Sequence, residues 1–318
     1  MNKILKVIVS LIIFFFSSGI GQSQTRITRR ISNNSGQSSE PNIAIDGNNV
    51  YIVWEDNTYG NSDIFFRSSK NGGATWSLQK NISNNATVSG MPDIAVSGSS
   101  IYIVWTDEAK DNYELFFRRS NDGGVTWSNT KRITYTRYSS FWPSIAVNDK
   151  QVYIAWADYS PGNWEIYFIK SNDRGVNWTP VKRLTYTPGN SWLANIAIEG
   201  YSIYLVWLED SSGSRHVYFN KSINGGKSWN PTSTFEGNGG LAIDIAAIES
   251  NLDAVWDDYG LIFSISNDRG ESWTDPKRLS YGATFGLEVK VDELLRVYIV
   301  YADRQNGNWA IFLKYSKN

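Results

Sequence analysis

Short apolar runs separated by turn residues cover the chain from about residue 40 onward. The runs are four to six residues long and rich in Val, Ile, Tyr, Phe and Trp, as in Val50–Trp54 and Asp63–Arg67, and Asn, Gly and Asp lie between them. β-Branched and aromatic runs bounded by such residues are typical of β-strands. This part of the chain lacks the apolar spacing that indicates an amphipathic helix. The pattern therefore predicts an all-β protein.

The predicted strands recur with a fixed period. Similar turns are closed by five tryptophans, which are Trp76, Trp127, Trp178, Trp229 and Trp273, and the first four are 51 residues apart. A second series ends apolar runs at Trp54, Trp105, Trp156, Trp207, Trp256 and Tyr301. Each unit contains four candidate strands, and six such units predict a six-bladed β-propeller of four-stranded antiparallel blades. The last unit lacks a fourth strand, and Thr28–Ser32 is similar to the fourth strands of other units. We therefore expect this N-terminal strand to complete the last blade.

A leader segment precedes the repeats. Lys3 and Lys6 flank the start of the apolar run Val7–Phe16, which small and polar residues follow as far as Ser23. This order is typical of a secretory signal peptide, and the run is short for a membrane span. We expect residues 1–23 to be the signal peptide and residues 24–318 to be one propeller. The mature protein would then be secreted, periplasmic or on the cell surface, without a membrane span; an uncleaved anchor is the alternative.

Composition excludes several kinds of site. The chain has 30 Lys+Arg and 31 Asp+Glu without a basic block, which argues against a nucleic-acid partner. It has no Cys, so disulfides, thiolate metal sites and a Cys nucleophile are excluded. His216 is its single histidine, which leaves no His-paired metal site and makes Ser-His-Asp chemistry improbable. We expect a monomer with no metal and no cofactor.

The closing turns carry a family resemblance. Residues 120–127 read Ser-Asn-Asp-Gly-Gly-Val-Thr-Trp, and near matches occupy residues 69–76, 171–178, 222–229 and 266–273. This sequence resembles the Asp-box, or BNR repeat, of the sialidase/neuraminidase family. The resemblance implies a sialidase-like propeller in which the box is a structural turn, on the face opposite the active site.

An active sialidase would need further residues. The resemblance implies an Arg triad that holds the sialic acid carboxylate, a Tyr nucleophile with a Glu, and an Asp acid/base. Where the family has the first Arg, this chain has Glu40-Pro41-Asn42-Ile43. The weak catalytic candidates are Asp107, Asp158, Asp258 and Tyr281. Every unit has an acid at the position of these aspartates, and Tyr135 and Tyr186 are equivalent to Tyr281, so a structural role is the leading interpretation of all four.

Four of the 14 tryptophans are not explained by the repeat. They lie in loops that join fourth to first strands or second to third strands, and both loop types emerge opposite the Asp-boxes. Tyrosines and arginines accompany them, and Trp faces suit sugar rings while Arg suits carboxylates. The predicted ligand-binding residues are Arg137, Tyr138, Trp142, Tyr159, Trp164, Trp192, Arg215, Arg304 and Trp309. Packing of the rings against their own loops is the alternative for each residue.

These observations predict a carbohydrate-binding or other extracellular recognition protein without a complete sialidase catalytic set. Its partner would be a glycan or another extracellular ligand. Two alternatives remain, an exo-α-sialidase of the glycoside hydrolase class and a purely structural scaffold propeller. A cluster of three arginines beside a Tyr–Glu pair would favour the hydrolase.

Overall fold

The computed structural model describes residues 11–12, 28–29, 31–32, 36–210, 213–235, 238–281, 284–291, 297–305 and 308–315. The regular elements in these ranges are β-strands, so the all-β prediction is confirmed. The chain divides into two compact units, Met1–Tyr135 and Thr136–Asn318. Within the described ranges, helices long and apolar enough to cross a membrane do not occur. Most of the predicted signal peptide lies outside the described residues.

The first unit contains a two-stranded pair and two four-stranded antiparallel blades. The pair is formed by β1 (Leu11–Ile12) and β2 (Thr28–Arg29). Blade 1 consists of β3 (Ser38–Asp46), β4 (Asn49–Asp56), β5 (Asp63–Ser69) and β6 (Lys80–Asn81). Blade 2 consists of β7 (Ser89–Ser97), β8 (Ser100–Ala109), β9 (Asn112–Ser120) and β10 (Lys131–Arg132). In each blade the strands pair in chain order.

The second unit contains three four-stranded blades and a three-stranded sheet. Blade 3 consists of β11 (Ser140–Asn148), β12 (Gln151–Asp158), β13 (Glu165–Ser171) and β14 (Lys182–Arg183). Blade 4 consists of β15 (Ser191–Glu199), β16 (Ser202–Glu209), β17 (His216–Ser222) and β18 (Ser233–Thr234). Blade 5 consists of β19 (Ile243–Ile248), β20 (Asn251–Asp257), β21 (Leu261–Ser266) and β22 (Lys277–Arg278). The C-terminal sheet consists of β23 (Thr284–Val291), β24 (Val297–Gln305) and β25 (Asn308–Tyr315).

The prediction of six four-stranded blades closed by an N-terminal strand is wrong. The described residues form five complete blades, and the C-terminal sheet has three strands there. β2 pairs with β1, with Arg29 opposite Leu11, rather than with that sheet. The physical reason is that the fourth strands are only two residues long, so few ladder hydrogen bonds specify their partner. Sequence similarity to a fourth strand therefore does not determine what Thr28–Ser32 pairs with.

Ile31 nevertheless contacts blade 1 as Ile82 contacts blade 2. The Arg67 Nη1 group donates a hydrogen bond to the Ile31 carbonyl at 2.6 Å, and Arg118 Nη1 donates the equivalent bond to Ile82 at 2.7 Å. Ile31 is buried in an apolar cluster with residues of β4 and β5, including Trp54. The repeat thus indicated how this residue packs, but not how its strand pairs.

The second strand of each four-stranded blade is the centre of the core. Most of its residues are apolar and buried on both faces, as at Trp105 and Tyr102 in β8. Neighbouring blades within a unit interlock through aromatic rings. Phe66 of blade 1 meets Trp127 edge-on at 5.0 Å, and Phe168 of blade 3 meets Trp229 at 5.3 Å. Burial of these rings supplies much of the apolar area that holds the blades together.

The five predicted turns at residues 69–76, 120–127, 171–178, 222–229 and 266–273, called the repeat turns here, share one hydrogen-bonding scheme. In the second turn, Ser120 Oγ donates to Asp122 Oδ1 at 2.7 Å and accepts from the Gly124 amide at 2.9 Å. The Asp122 carboxylate accepts bonds from the Thr126 amide and hydroxyl, which hold the pKa of Asp122 well below its usual range. These bonds give the residues that recur in each turn a local structural role.

Candidate functional site

Two loops of blade 3 meet at the end of the blade that lies opposite its repeat turn. Ser140 of β11 pairs with Asp158 of β12, which in turn pairs with Glu165 of β13. At the other end of the blade, Val152 pairs with Ser171, where the repeat turn begins. Residues next to Ser140, Asp158 and Glu165 therefore emerge side by side. Four of the predicted ligand-binding residues are among them: Tyr138, Trp142, Tyr159 and Trp164.

Five aromatic rings form a continuous cluster at this end, the blade 3 aromatic cluster of Tyr138, Phe141, Trp142, Tyr159 and Trp164. Trp164 is central: its ring centroid lies 5.1 Å from Tyr159, 5.4 Å from Trp142 and 5.7 Å from Phe141. Tyr138 extends the cluster, 6.0 Å from Tyr159. Trp142 and Trp164 also pack on the apolar core between blades 3 and 4. Tyr138 and Tyr159 are 41% and 36% exposed, so the cluster is anchored at one side and open at the other.

A backbone irregularity places Trp142 in this cluster. The pairing of β11 with β12 shifts register between Phe141 and Ser144, and Trp142 has a φ of +51°. A β-bulge of this kind bends the strand and redirects a side chain. The same positive φ recurs at equivalent positions of the first strands of blades 1, 2 and 4, at Glu40, Met91 and Leu193. The bulge is therefore a repeated feature with a different side chain in each blade.

Two of the predicted arginines lie against predicted aromatic residues. The Arg137 guanidinium lies 5.8 Å from the centroid of the Tyr138 ring, at the edge of the blade 3 aromatic cluster. In blade 4, the Arg215 guanidinium lies 5.9 Å from the Trp192 ring, and its Nη1 donates to the Gly240 carbonyl at 3.3 Å. Both distances fit cation–π contacts.

Arg304 and Trp309 were also predicted as ligand-binding residues. They face each other in register in β24 and β25. Their side chains lie outside the described residues.

Two of the catalytic candidates are buried and fully engaged within their own blades. Asp107 accepts hydrogen bonds from Asn85, Thr87, Ser89 and Trp105 side chains at 2.6 to 2.9 Å. In blade 3, Asp158 likewise accepts from the Ser140 hydroxyl at 2.8 Å, the Ser160 amide at 2.9 Å and the Trp156 indole at 3.3 Å. Each residue is 1% exposed. These carboxylates join the first strand, the second strand and the loops of one blade.

The other two candidates, Asp258 and Tyr281, are linked through Arg278. Asp258 Oδ2 lies 3.3 Å from Arg278 Nη2, and the Arg278 guanidinium lies 5.4 Å from the Tyr281 ring. In blade 5 the adjacent Asp257 instead accepts the amide hydrogen bonds of Leu241 and Ala242, at 2.5 and 2.7 Å. Asp258 therefore occupies a different environment from Asp107 and Asp158.

A carboxyl pair in the first unit was missed by sequence reasoning. The Glu40 and Glu55 carboxyl groups lie close together, and desolvation followed by the Glu55 charge raises the pKa of Glu40 to about 7. The Met91 amide donates to Glu40 Oε2 at 2.9 Å, and Ser62 Oγ donates to Glu55 Oε1 at 2.8 Å. The available signal was an acid at the bulge position that is apolar in blades 2, 3 and 4. In the part of the chain that the structure describes, a metal-binding cluster of three or more His, Asp or Glu residues does not occur.

Comparison with solved structures shows a β-propeller fold. A mutant of the α-L-arabinofuranosidase Arb93A of Fusarium graminearum, in complex with an iminosugar inhibitor, superimposes with a TM-score of 0.67 at 11% identity, covering 88% of this chain and 93% of that chain. A protein of unknown function from Dyadobacter fermentans gives a TM-score of 0.65 at 14% identity, covering 89% and 95%. A mutant of Trypanosoma rangeli sialidase that displays trans-sialidase activity gives 0.61 at 12% identity, covering 96% of this chain.

The chain spans 56% of the length of the trypanosomal sialidase. No protein-family model matches the sequence, and neither does any curated protein sequence. At these identities the likeness extends to the fold, which sialidase and other glycoside hydrolase propellers share with this chain. Activity and ligand must therefore be argued from the chain's own residues.

Proposed function

We propose that this chain is a secreted carbohydrate-binding protein of the Asp-box, sialidase-like type, which residues 1–23 direct to export. The observation that carries the proposal is the blade 3 aromatic cluster. Its rings come from the start of β11 and from two loops at one blade end, and Tyr138 and Tyr159 present open surface. Exposed aromatic rings that are fixed in place bury the apolar face of a sugar at little cost in conformational entropy.

The cluster has the form of a binding surface with a rigid base. Trp164 and Trp142 are held by the core between blades 3 and 4, so they support the two tyrosines without needing a ligand themselves. Arg137 at the edge of the cluster supplies hydrogen-bond donors for sugar hydroxyls or a carboxylate. A purely structural propeller does not need exposed rings that are fixed on a packed base. We therefore place binding ahead of a structural role.

Hydrolysis is the second candidate, and the Glu40–Glu55 pair is the observation that favours it. A carboxyl group with a pKa of about 7 can exchange a proton at neutral pH, as general acid catalysis requires. However, the two carboxyl groups come from adjacent positions of paired strands and interact directly, whereas glycosidases hold theirs about 5 to 9.5 Å apart on either side of the sugar. We therefore place glycan binding first.

Glycan-array screening followed by calorimetry tests the proposal. The chain from residue 24 onward is applied to an array that includes sialosides and arabinofuranosides, the substrate types named for its structural neighbours. Tyr159→Ala should weaken binding of an array ligand at least tenfold. Tyr201→Ala is the matched control, because Tyr201 is 69% exposed in the β15–β16 turn, at the other end of its blade. An array without any ligand, or equal affinities for both variants, would refute the proposal.

Fluorogenic sialosides and arabinofuranosides distinguish the second candidate. Binding alone predicts no turnover of either substrate by the wild-type protein. Turnover that Glu40→Gln abolishes, in a variant that still melts cooperatively, would establish hydrolysis at the carboxyl pair. N-terminal sequencing of the exported protein tests the proposed signal peptide separately.

A further inference from the structure

A stacked arginine–tyrosine pair recurs in three of the five blades. We call these pairs the Arg–Tyr units; they are Arg132/Tyr135 in blade 2, Arg183/Tyr186 in blade 3 and Arg278/Tyr281 in blade 5. The guanidinium lies 4.7, 4.4 and 5.4 Å from the ring centroid, respectively. The three rings are nevertheless 75%, 74% and 84% exposed. Each arginine thus covers one face of its tyrosine and leaves the other face to solvent.

Buried carboxylates fix the arginines of blades 2 and 3. Arg132 Nη2 lies 2.8 Å from Glu114 Oε1 and Arg183 Nη2 lies 2.9 Å from Glu165 Oε1, and both glutamate side chains are fully buried. Each arginine also donates from Nε to a threonine carbonyl of its own segment, at 2.7 Å. In blade 5, Asp258 takes the carboxylate role at 3.3 Å. The tyrosine ring therefore rests on a preorganised, charge-neutralised base.

The blade itself does not require the tyrosine. Blade 1 has Asn81 and Asn84 in place of the arginine and tyrosine, and the Asn81 side chain bonds Asp63 at 2.8 Å and the Asn84 amide at 2.8 Å. Blade 4 has Thr234 where the arginine lies in the other blades. Both blades still form four strands. A ring that shields only one face of an ion pair, and that two blades omit, is not explained by folding alone.

We propose that each Arg–Tyr unit is a separate docking platform for a neutral hexopyranose residue. The open face of a fixed tyrosine matches the flat C–H face of a pyranose, and the phenol hydroxyl at the ring edge matches its hydroxyl groups. The carboxylate beneath neutralises the arginine, so the platform has no charge with which to select an acidic sugar. Binding to one ring is weak, and each platform is a separate site. These platforms use none of the blade 3 aromatic cluster.

Residue-resolved nitration tests the platforms. The folded protein is treated with tetranitromethane alone or with maltohexaose, cellohexaose, mannohexaose or trigalacturonate, and each tyrosine peptide is quantified by mass spectrometry. At least one neutral hexasaccharide should slow nitration of Tyr135, Tyr186 and Tyr281 threefold or more, while Tyr201 reacts unchanged. The proposal is overturned if no neutral hexasaccharide protects the three tyrosines, if Tyr201 is protected equally, or if only trigalacturonate protects.

Two variants separate this inference from the proposed function. Tyr186→Ala should remove one hexasaccharide site per chain at saturation and leave the melting temperature nearly unchanged. A large fall in melting temperature without a lost site would instead assign Tyr186 a structural role and overturn its platform. Tyr159→Ala, in the blade 3 aromatic cluster, should leave protection of the three platform tyrosines intact. Failure of the cluster to bind is therefore distinguishable from failure of the platforms.

Discussion

The Glu40 and Glu55 carboxyl groups lie close enough to interact electrostatically. Glu40 belongs to the bulge of β3 and Glu55 to the paired strand β4, and Met91 from blade 2 donates its amide to Glu40. Burial and the Glu55 charge together raise the pKa of Glu40 to about 7. A carboxyl group with a raised pKa therefore lies at the contact between blades 1 and 2.

Glu40→Gln should remove a pH dependence from stability. Because the folded pKa of Glu40 is raised above its usual 4.5, its contribution is fully present below pH 4.5 and is lost as pH rises through about 7. The Gln side chain is neutral at every pH and is not repelled by the Glu55 charge, so the melting-temperature advantage of the variant should grow between pH 4.5 and 7. Glu108→Gln, an exposed glutamate of β8, is the control. A constant difference between Glu40→Gln and wild type across this range would contradict the assignment.

We expect a second pH dependence of stability, which arises from Asp253 in the second unit. It is 3% exposed at the centre of β20, where blades 1 to 4 have tyrosine, and burial raises its pKa to about 6. Its stabilising contribution is complete below about pH 3.8 and is lost as pH rises through about 6. Asp253→Asn should therefore be more stable than wild type by about 2 kcal/mol at pH 8, with no gain at pH 3.5. Urea unfolding at both pH values measures this, and the exposed Asp149→Asn should show no such difference.

Removal of Arg183 should leave a buried charge uncompensated. Glu165 has a fully buried side chain, and its Oε1 accepts bonds from Arg183, Asn163 and the Thr187 amide. Arg183→Ala should cost about 3 kcal/mol of unfolding free energy, because the remaining carboxylate keeps its desolvation penalty. Arg174→Ala breaks a 3.6 Å ion pair between exposed side chains and should cost at most about 1 kcal/mol from that pair. Equal losses of unfolding free energy for the two variants in denaturant titration would contradict a stabilising role of the Arg183–Glu165 pair.

Gly124 combines a positive φ with a close contact to a core ring. It has a φ of +85°, and a Cβ atom there would lie 2.6 Å from Cε1 of Phe66. Gly124→Ala should destabilise the protein by about 3 kcal/mol through left-handed strain and overpacking. Gly98→Ala is the matched control in the same unit, since Gly98 has a φ of +59° but no atom within 4 Å of its Cβ position. It should cost only about 1 kcal/mol in chemical denaturation, and equal costs would remove Phe66 from the explanation.

The sequence was informative wherever one residue pattern determines local structure. The repeat turns follow from Ser, Asp and Gly at fixed spacing, and the central strands from apolar residues such as those of Val50–Trp54. The pairing of Thr28–Arg29 was not predictable, because so short a strand has little to specify its partner. Contacts made through a bulge were also not predictable. The alternation of side chains along a strand does not reveal the extra residue that brings Glu40 next to Glu55. The loop of Trp164 was identified from spacing, but Trp142 lies in the bulge of strand β11 rather than in a loop, and the contact of the two rings at 5.4 Å required the structure.

The bulge of the first strands has a consequence for altering this protein. The residue with positive φ differs from blade to blade: it is Glu40 in blade 1, Met91 in blade 2, Trp142 in blade 3 and Leu193 in blade 4. Four unrelated side chains thus share one backbone conformation, which disfavours β-branched residues and specifies little else. We therefore expect that side chains of different chemistry can be introduced at these four positions while the backbone of the strand keeps its conformation.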